Sequence, residues 1–225
     1  MQSIKEVNPN IWKNHSKYIF INDPINKKNP LEALYQESKL IIDRYSNLNA
    51  IYTDGSVNND KTGIGIFNIN FTKSIRLPDG TTIFDAEAYA ILKAIDSALD
   101  SGVNSIIFTD SKSSVQAIFS GKTKNSIINN IINKIISAPI DIYISFIPGH
   151  TGILGNEFAD SFARLATQLD VIEQIPPSFK HLKKLTLSSI MNKWQIELTD
   201  LDLELKFKPL IKLYKSSFRK NARRK

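Results

Sequence analysis

The sequence predicts an α/β fold: a five-stranded mixed sheet, three antiparallel strands plus two parallel ones, with helices on both faces. Three observations predict it. Residues 50 to 75 hold three short β-favouring runs split by turn residues, the pattern of a meander. From residue 84 to 169 the order becomes helix, strand, helix, helix, strand, helix. Ile51-Tyr52 and Ile106-Ile107-Phe108 are apolar runs of buried-strand character, and helical crossovers favour their parallel, right-handed pairing.

Taken in order, residues 1–46 are an extension rich in Asn, Pro and Lys with one helix, about Pro30 to Tyr45. Leu31, Leu34, Leu40 and Ile41 partly match helical spacing, with Asn29 and Pro30 as cap and first turn. The first strand covers about residues 50–54, after which Gly55 and Ser56 turn the backbone close to Asp54. Gly63 to Phe67 and Ile69 to Ile75 form the next two strands, their glycines marking close backbone approach or a bulge. Pro78-Asp79-Gly80 is a turn. Phe84 to Leu99 is an alanine-rich helix with Gly102 just past its end.

Ser105 to Thr109 is the next strand, and Ser111 caps a helix that stops at Gly121. Lys124 to Ser137 forms another helix, its six isoleucines at helical spacing, and Pro139 closes it. Ile140 to Ile147 alternates as a strand. The loop Pro148-Gly149-His150-Thr151-Gly152 then leads to a helix over about Asn156 to Leu169, where Asn156 and Asp160 share one face.

A chain of 225 residues can bury one substantial core and carry extra segments. It has no cysteine, which excludes disulfides, thiolate nucleophiles and cysteine zinc sites and fits an intracellular setting. No stretch has the roughly 20 apolar residues of a membrane helix, and the N-terminus lacks a secretory apolar core. The net charge of +7 is unevenly spread. Residues 1–49 carry +2, residues 50–170 carry −3 and residues 171–225 carry +8. An acidic middle with a basic tail points to a polyanionic partner met through the tail, or to a solvated charged end.

The chemistry gathers at strand ends. Thr53-Asp54 and Thr109-Asp110 each close an apolar strand, and functional groups collect at the carboxyl ends of such strands. Glu87, in the first turn of its helix, and Asp160 can each face the same point. Four carboxylates together repel one another unless cations neutralise them. Oxygen donors without cysteine favour Mg²⁺ or Mn²⁺. Singly, each residue has a plain structural role: a strand-end turn, a helix-dipole acid, a surface acid, a loop-ordering histidine.

Thr-Asp-Gly-Ser at 53–56, Ala-Glu-Ala at 86–88, Thr-Asp-Ser at 109–111 and Pro-Gly-His-Thr-Gly-Ile-Leu-Gly-Asn-Glu-Phe-Ala-Asp at 148–160 together resemble type 1 ribonuclease H. The resemblance covers roughly residues 47–170, between the extension 1–46 and a basic C-terminal extension 171–225. Arg-Leu-Pro-Asp-Gly at 76–80 and the flanking extensions are similar to the ribonuclease H region of a non-LTR retrotransposon polyprotein. The resemblance implies a ribonuclease H-like fold and a two-metal endonuclease that cuts the RNA strand of RNA–DNA hybrids, leaving 5′-phosphate and 3′-hydroxyl ends. It implies Asp54, Glu87, Asp110 and Asp160 as metal-binding catalytic acids, with Asp54 shared by two Mg²⁺ ions (or Mn²⁺). It implies His150 as an aid to proton transfer or product release, and Gly55, Ser56, Ser111 and Asn156 near the sugar-phosphate backbone. A reverse transcriptase domain is the expected neighbour and a nuclear or cytoplasmic setting the expected place, with no membrane.

The sequence departs from that pattern in two places. Phe146-Ile147 stands where the family often has Trp, and only Lys122 and Lys124 remain of a basic protruding helix. Hybrid affinity is therefore expected from the tail, where Phe179 to Trp194 and Phe207 to Lys225 mix basic and aromatic residues. A helical extension packed on neighbouring polyprotein domains is the alternative for that tail, and Arg219 to Lys225 resembles a nuclear-entry stretch. Two other functions share this scaffold: a hybrid-binding retroelement remnant that no longer cuts, and a DNA-acting integrase or transposase.

Overall fold

The computed structural model of the chain describes residues 19–20, 29–176 and 179–200. The tail from residue 201, with Phe207 to Lys225, and the side chain of Phe179 lie outside the described residues. The described elements are β1 (Ile19–Phe20), α1 (Leu31–Arg44), β2 (Asn49–Asn58), β3 (Lys61–Asn68) and β4 (Phe71–Leu77). After them come α2 (Ile83–Ser101), β5 (Ser105–Thr109), α3 (Lys112–Ser120), α4 (Ser126–Ser137), β6 (Ile142–Phe146), α5 (Leu154–Ala166) and α6 (Phe179–Asp200).

Strands β2 to β6 make the expected mixed sheet. β2, β3 and β4 pair antiparallel, while β5 joins β2 and β6 joins β5 in parallel. Two-residue β1 adds beside β6, so the full order is β1-β6-β5-β2-β3-β4. A two-residue strand carries no alternation for a sequence pattern to reveal.

Two turns differ from the sequence reading. Gly55 and Ser56 do not turn the chain: β2 runs on to Asn58, paired with β3 throughout. The turn falls at Asn59 and Asp60, both in the left-handed region at φ 48° and 65°, as a tight two-residue hairpin requires. Ile69 is likewise the exposed tip of the β3–β4 hairpin rather than a strand residue. There the Asn68 side chain accepts a bond from the backbone N–H of Asn70 at 2.9 Å and so sets the turn.

Glycines decide how closely the helices approach. A Cβ at Gly55 would lie 3.0 Å from the backbone nitrogen of Glu87 and 3.1 Å from Ala86 Cβ, so α2 covers that face of β2. A Cβ at Gly63 would lie 2.6 Å from the carbonyl oxygen of Ala163, and one at Gly65 would overlap Ala159 and Ala163. Gly55 stands opposite Ile64, and Gly63 and Gly65 point to the other side. Helices α2 and α5 therefore sandwich the sheet. Ile51, Ile64, Ile66, Ile91, Ile106, Ile107, Phe108, Ile128 and Ile131 fill the core between the layers.

The Ser111 cap of α3 and the glycine stops of α2 and α3 are as the sequence leads one to expect. The Thr82 and Ser111 side chains accept from the backbone N–H groups of Asp85 and Ser114, and Gly102 and Gly121 end the helices at φ 66° and 61°. Helix α4 starts two residues later than expected, because Asn125 caps it through the amides of Ile127 and Ile128. The Asn125 amide also donates to Asp85 at 2.8 Å, tying the starts of α2 and α4 together.

Packing continues on both sides of this core. Leu34 and Ile41 of α1 are buried, and Tyr45, just past its end, stacks on Tyr143 of β6 at 6.2 Å. After α5 the chain returns to the edge of the sheet, where the backbone N–H of Glu173 donates to the Arg76 carbonyl at 2.8 Å. The Glu173 carboxylate takes the Tyr89 hydroxyl and the Lys93 ammonium, each at 2.5 Å. Helix α6 lies largely in a second unit, Leu182–Lys225. On it Leu182, Leu185, Ile190 and Trp194 are exposed.

Candidate active site

Asp54 is the centre of the site. The β2–β5 register ends at Thr53 opposite Thr109, so Asp54 and Asp110 leave adjacent parallel strands at the same level. Asp54 stands opposite Gly65 in β3, and the missing side chain there lets α5 lie on the sheet with Asp160 beside the strand. Gly55 admits the start of α2 from the other face and brings Glu87 to the same end. The four acids thus reach one place from four elements.

The effect falls on Asp54. Asp54 is buried, and its carboxyl is pushed up from an ordinary value of 3.8 to about 8. Desolvation is the first cause and repulsion by Asp110 the second, followed after an opposing hydrogen bond by Asp160 and Glu87. The opposing bond comes from the backbone N–H of Gly55, at 2.8 Å. A buried acid pressed by three others fits hard divalent cations, which accept oxygen ligands and supply the missing positive charge.

The partners differ around the site. The Ser111 hydroxyl donates to the Glu87 carboxylate, and Ser111 is itself fixed as the cap of α3. Arg164, one turn beyond Asp160 on α5, donates its guanidinium to the Asp160 carboxylate. Gly149 lies against Asp110: a Cβ there would come within 3.3 Å of the carboxyl carbon and nearer still to Oδ2.

His150 follows Gly149 in the left-handed region at φ 56°. Potential ligating atoms of His150, Glu157 and Asp160 all lie within 4.8 Å of one another, the one such group among the described residues. Glu157, which sequence reasoning did not single out, joins His150 and Asp160 in this group. Its signal was its place three residues before Asp160, on the same helical face. Asp54, Glu87 and Asp110 lie outside that tight group.

The residues expected near the substrate are placed unequally. Gly55 and Ser56 are half-buried in β2, whereas Ser111 and Asn156 are 3% and 2% exposed. The side-chain oxygen of Asn156 is buried without a hydrogen-bond partner, an unmet acceptor beside the site acid Glu157 in sequence.

Comparison with known proteins agrees with this arrangement. The family model for RNase H matches residues 47–168. Ribonuclease H1 of Homo sapiens is 32% identical over 137 residues, covering 51% of this chain and 48% of the human protein. The Rattus norvegicus and Mus musculus proteins of the same name match to the same extent. The chain thus spans about half the length of these curated relatives. Over more than half of its own length, with an acidic residue brought from each of four elements to one end of the sheet, the chain belongs to the RNase H family.

Proposed function

We propose that the chain is a metal-dependent endonuclease that hydrolyses the RNA strand of RNA–DNA hybrids, leaving 5′-phosphate and 3′-hydroxyl ends. The observation that carries this reading is the convergence of Asp54, Asp110, Asp160 and Glu87 at one end of the sheet, where burial first and repulsion by the other three acids next raise the Asp54 carboxyl to about 8. Asp54, Glu87, Asp110 and Asp160 would hold two Mg²⁺ ions, with Mn²⁺ as a substitute. Bound ions would neutralise this cluster, polarise the scissile phosphate and favour an attacking hydroxide.

The chain's own residues do the rest. Asp54 would be the central carboxylate holding the ions. Ser111 holds Glu87 in one orientation, and Arg164 keeps a positive charge on Asp160. His150, exposed on its loop beside Glu157 and Asp160, would assist proton transfer or product release. Gly55, Ser56, Ser111 and Asn156 are the proposed backbone contacts, and sensing of 2′-hydroxyls is how such a site tells RNA from DNA.

The catalytic unit is residues 47–170, with the extension 1–46 before it and the basic segment 171–225 after it. Exposed Lys183, Lys193 and Trp194 on α6 support a phosphate-contacting and base-stacking role for that segment. The Arg76–Gly80 wording supports service in reverse transcription of a retroelement, beside a reverse transcriptase domain, in the nucleus or cytoplasm. Among the described residues no helix is long and apolar enough to cross a membrane.

A labelled RNA–DNA hybrid with Mg²⁺, with chelator, and with Asp54→Asn tests the reading. Cleavage of the RNA strand that chelator and Asp54→Asn both abolish supports it. Tight binding without cleavage would make the chain a silent retroelement remnant. Cutting or joining of plain duplex DNA would make it an integrase or transposase.

A further inference from the structure

We propose that Arg76, the buried cation of the Arg-Leu-Pro-Asp-Gly stretch, is a positioning residue that sets where α2 begins and so where Glu87 stands. The proposal deepens the reading just given, since it rests on Glu87 serving as one of the site acids. Arg76 lies near the end of β4, and its side chain is 4% exposed. The carboxylate it pairs with, on Asp79, is 62% exposed. Taking a guanidinium out of water is costly, and an apolar side chain would fill the same place at less cost. What an apolar side chain lacks is a rigid fork of N–H donors that can hold several acceptors at once.

The fork holds three acceptors. Nη1 donates to the Thr62 carbonyl of β3 and to the Leu77 carbonyl, both at 2.9 Å, and Nη2 donates to the Asp79 carboxylate. Thr62 passes the hold on, its hydroxyl donating to the Thr81 carbonyl at 3.1 Å. The Thr81 hydroxyl donates to the Pro78 carbonyl at 2.6 Å, and the Gly80 N–H donates to the Asp60 carbonyl at 2.8 Å. The turn 78–81 is thus tied both to Arg76 and to the tip of the β2–β3 hairpin. Directly after it comes Thr82, the cap of α2. Helix α2 packs closely on Gly55 of β2 at Ala86 and Glu87, so a shift of its start moves Glu87 relative to Asp54.

The test compares Arg76→Lys, which keeps the charge but not the fork, and Arg76→Met, which keeps the apolar stem, with Lys73→Met in the full chain. Lys73 is the control: it lies on the same strand and bonds Ser97, toward the other end of the same helix, at 2.8 Å. Amide hydrogen exchange at Asp85 and Ala86 is expected to speed up about tenfold in both Arg76 variants, more than at Ile106 to Phe108 of β5, and to stay put in Lys73→Met. A general loss of stability would instead speed the β5 amides and leave local opening of the α2 start as it was. Mg²⁺ affinity, read by calorimetry, should weaken about tenfold in Arg76→Lys, and kcat on hybrid should fall about tenfold with KM little changed, because a misplaced site acid costs rate rather than substrate binding.

Exchange at Asp85 and Ala86 that only follows the β5 amides, or Arg76→Lys with the measured Mg²⁺ affinity of the parent, would overturn the assignment. If the parent chain binds no Mg²⁺ and cuts no hybrid, the proposed function fails by itself, and the exchange rates still judge Arg76.

Discussion

Asp54 carries the strongest single-residue consequence. Its folded pKa near 8 lies above its ordinary 3.8, so the native state binds a proton that the unfolded chain has released. Stability of the metal-free protein must then fall as pH rises from about 4 to about 8. Asp54→Asn removes that slope. At pH 8 the substituted protein should melt roughly 5 °C higher than the parent, and at pH 4 the two should melt together, as thermal scans will read. The same substitution should abolish hybrid cleavage. Loss of activity with gain of stability distinguishes a site residue from a core residue, which loses both. Millimolar Mg²⁺ at pH 7 should raise the melting temperature of the parent by mass action, and do so far less for Asp54→Asn. An unchanged parent melting temperature across that range would count against the metal site.

At the scale of elements, the contact of β3 with α5 positions Asp160. Gly65→Ala drives a methyl into the backbone of Ala159 and Ala163, so α5 must lift or slide. The expected cost is about 3 kcal/mol, with cleavage reduced beyond what the remaining folded fraction explains. Denaturant unfolding and a specific-activity measurement separate the two effects. The sequence showed that Gly63 and Gly65 meant either close approach or a bulge, but could not choose, because strand period alone does not say which layer comes near. It placed Asp54 at a strand end; in fact Asp54 sits inside β2, and only its pairing with β5 stops there. The Asn-Asp hairpin at 59–60 is what prolongs the strand. Ile69 was misread for a related reason: an apolar residue in a β-favouring run looks buried until the Asn68 side chain makes a turn around it.

For the molecule as a whole, the family-matched region is embedded in packing from both flanks. Arg76 and Ile172 form a bridge at the β4 edge, and Glu173 joins Tyr89 and Lys93. The Tyr89 hydroxyl is pushed up to about 12, first by burial and then by the Glu173 carboxylate that accepts its proton. A chain ending at residue 170 should therefore be less stable than one ending at residue 176 by about 2 kcal/mol, the worth of one or two hydrogen bonds and the partial burial of Ile175. Equal melting temperatures for the two would show that the flank is decoration. The charge pattern belongs to this scale too. The −3 middle offers little net attraction for a polyanion, and the +8 segment after residue 170 is the proposed source of hybrid affinity.

By itself the sequence determined the order and kind of the main elements, the cap at Ser111, the glycine stops, and which acids to suspect. These follow from local propensity, periodicity and residue chemistry, which a linear chain displays directly. Only the tertiary structure decided that Glu157 joins His150 and Asp160, that Arg164 holds Asp160, and that Ser111 holds Glu87. Those relations depend on strand register and on the turn of each helix about its axis. Both are set by how apolar faces pack across the sheet, at separations in sequence that no local pattern spans.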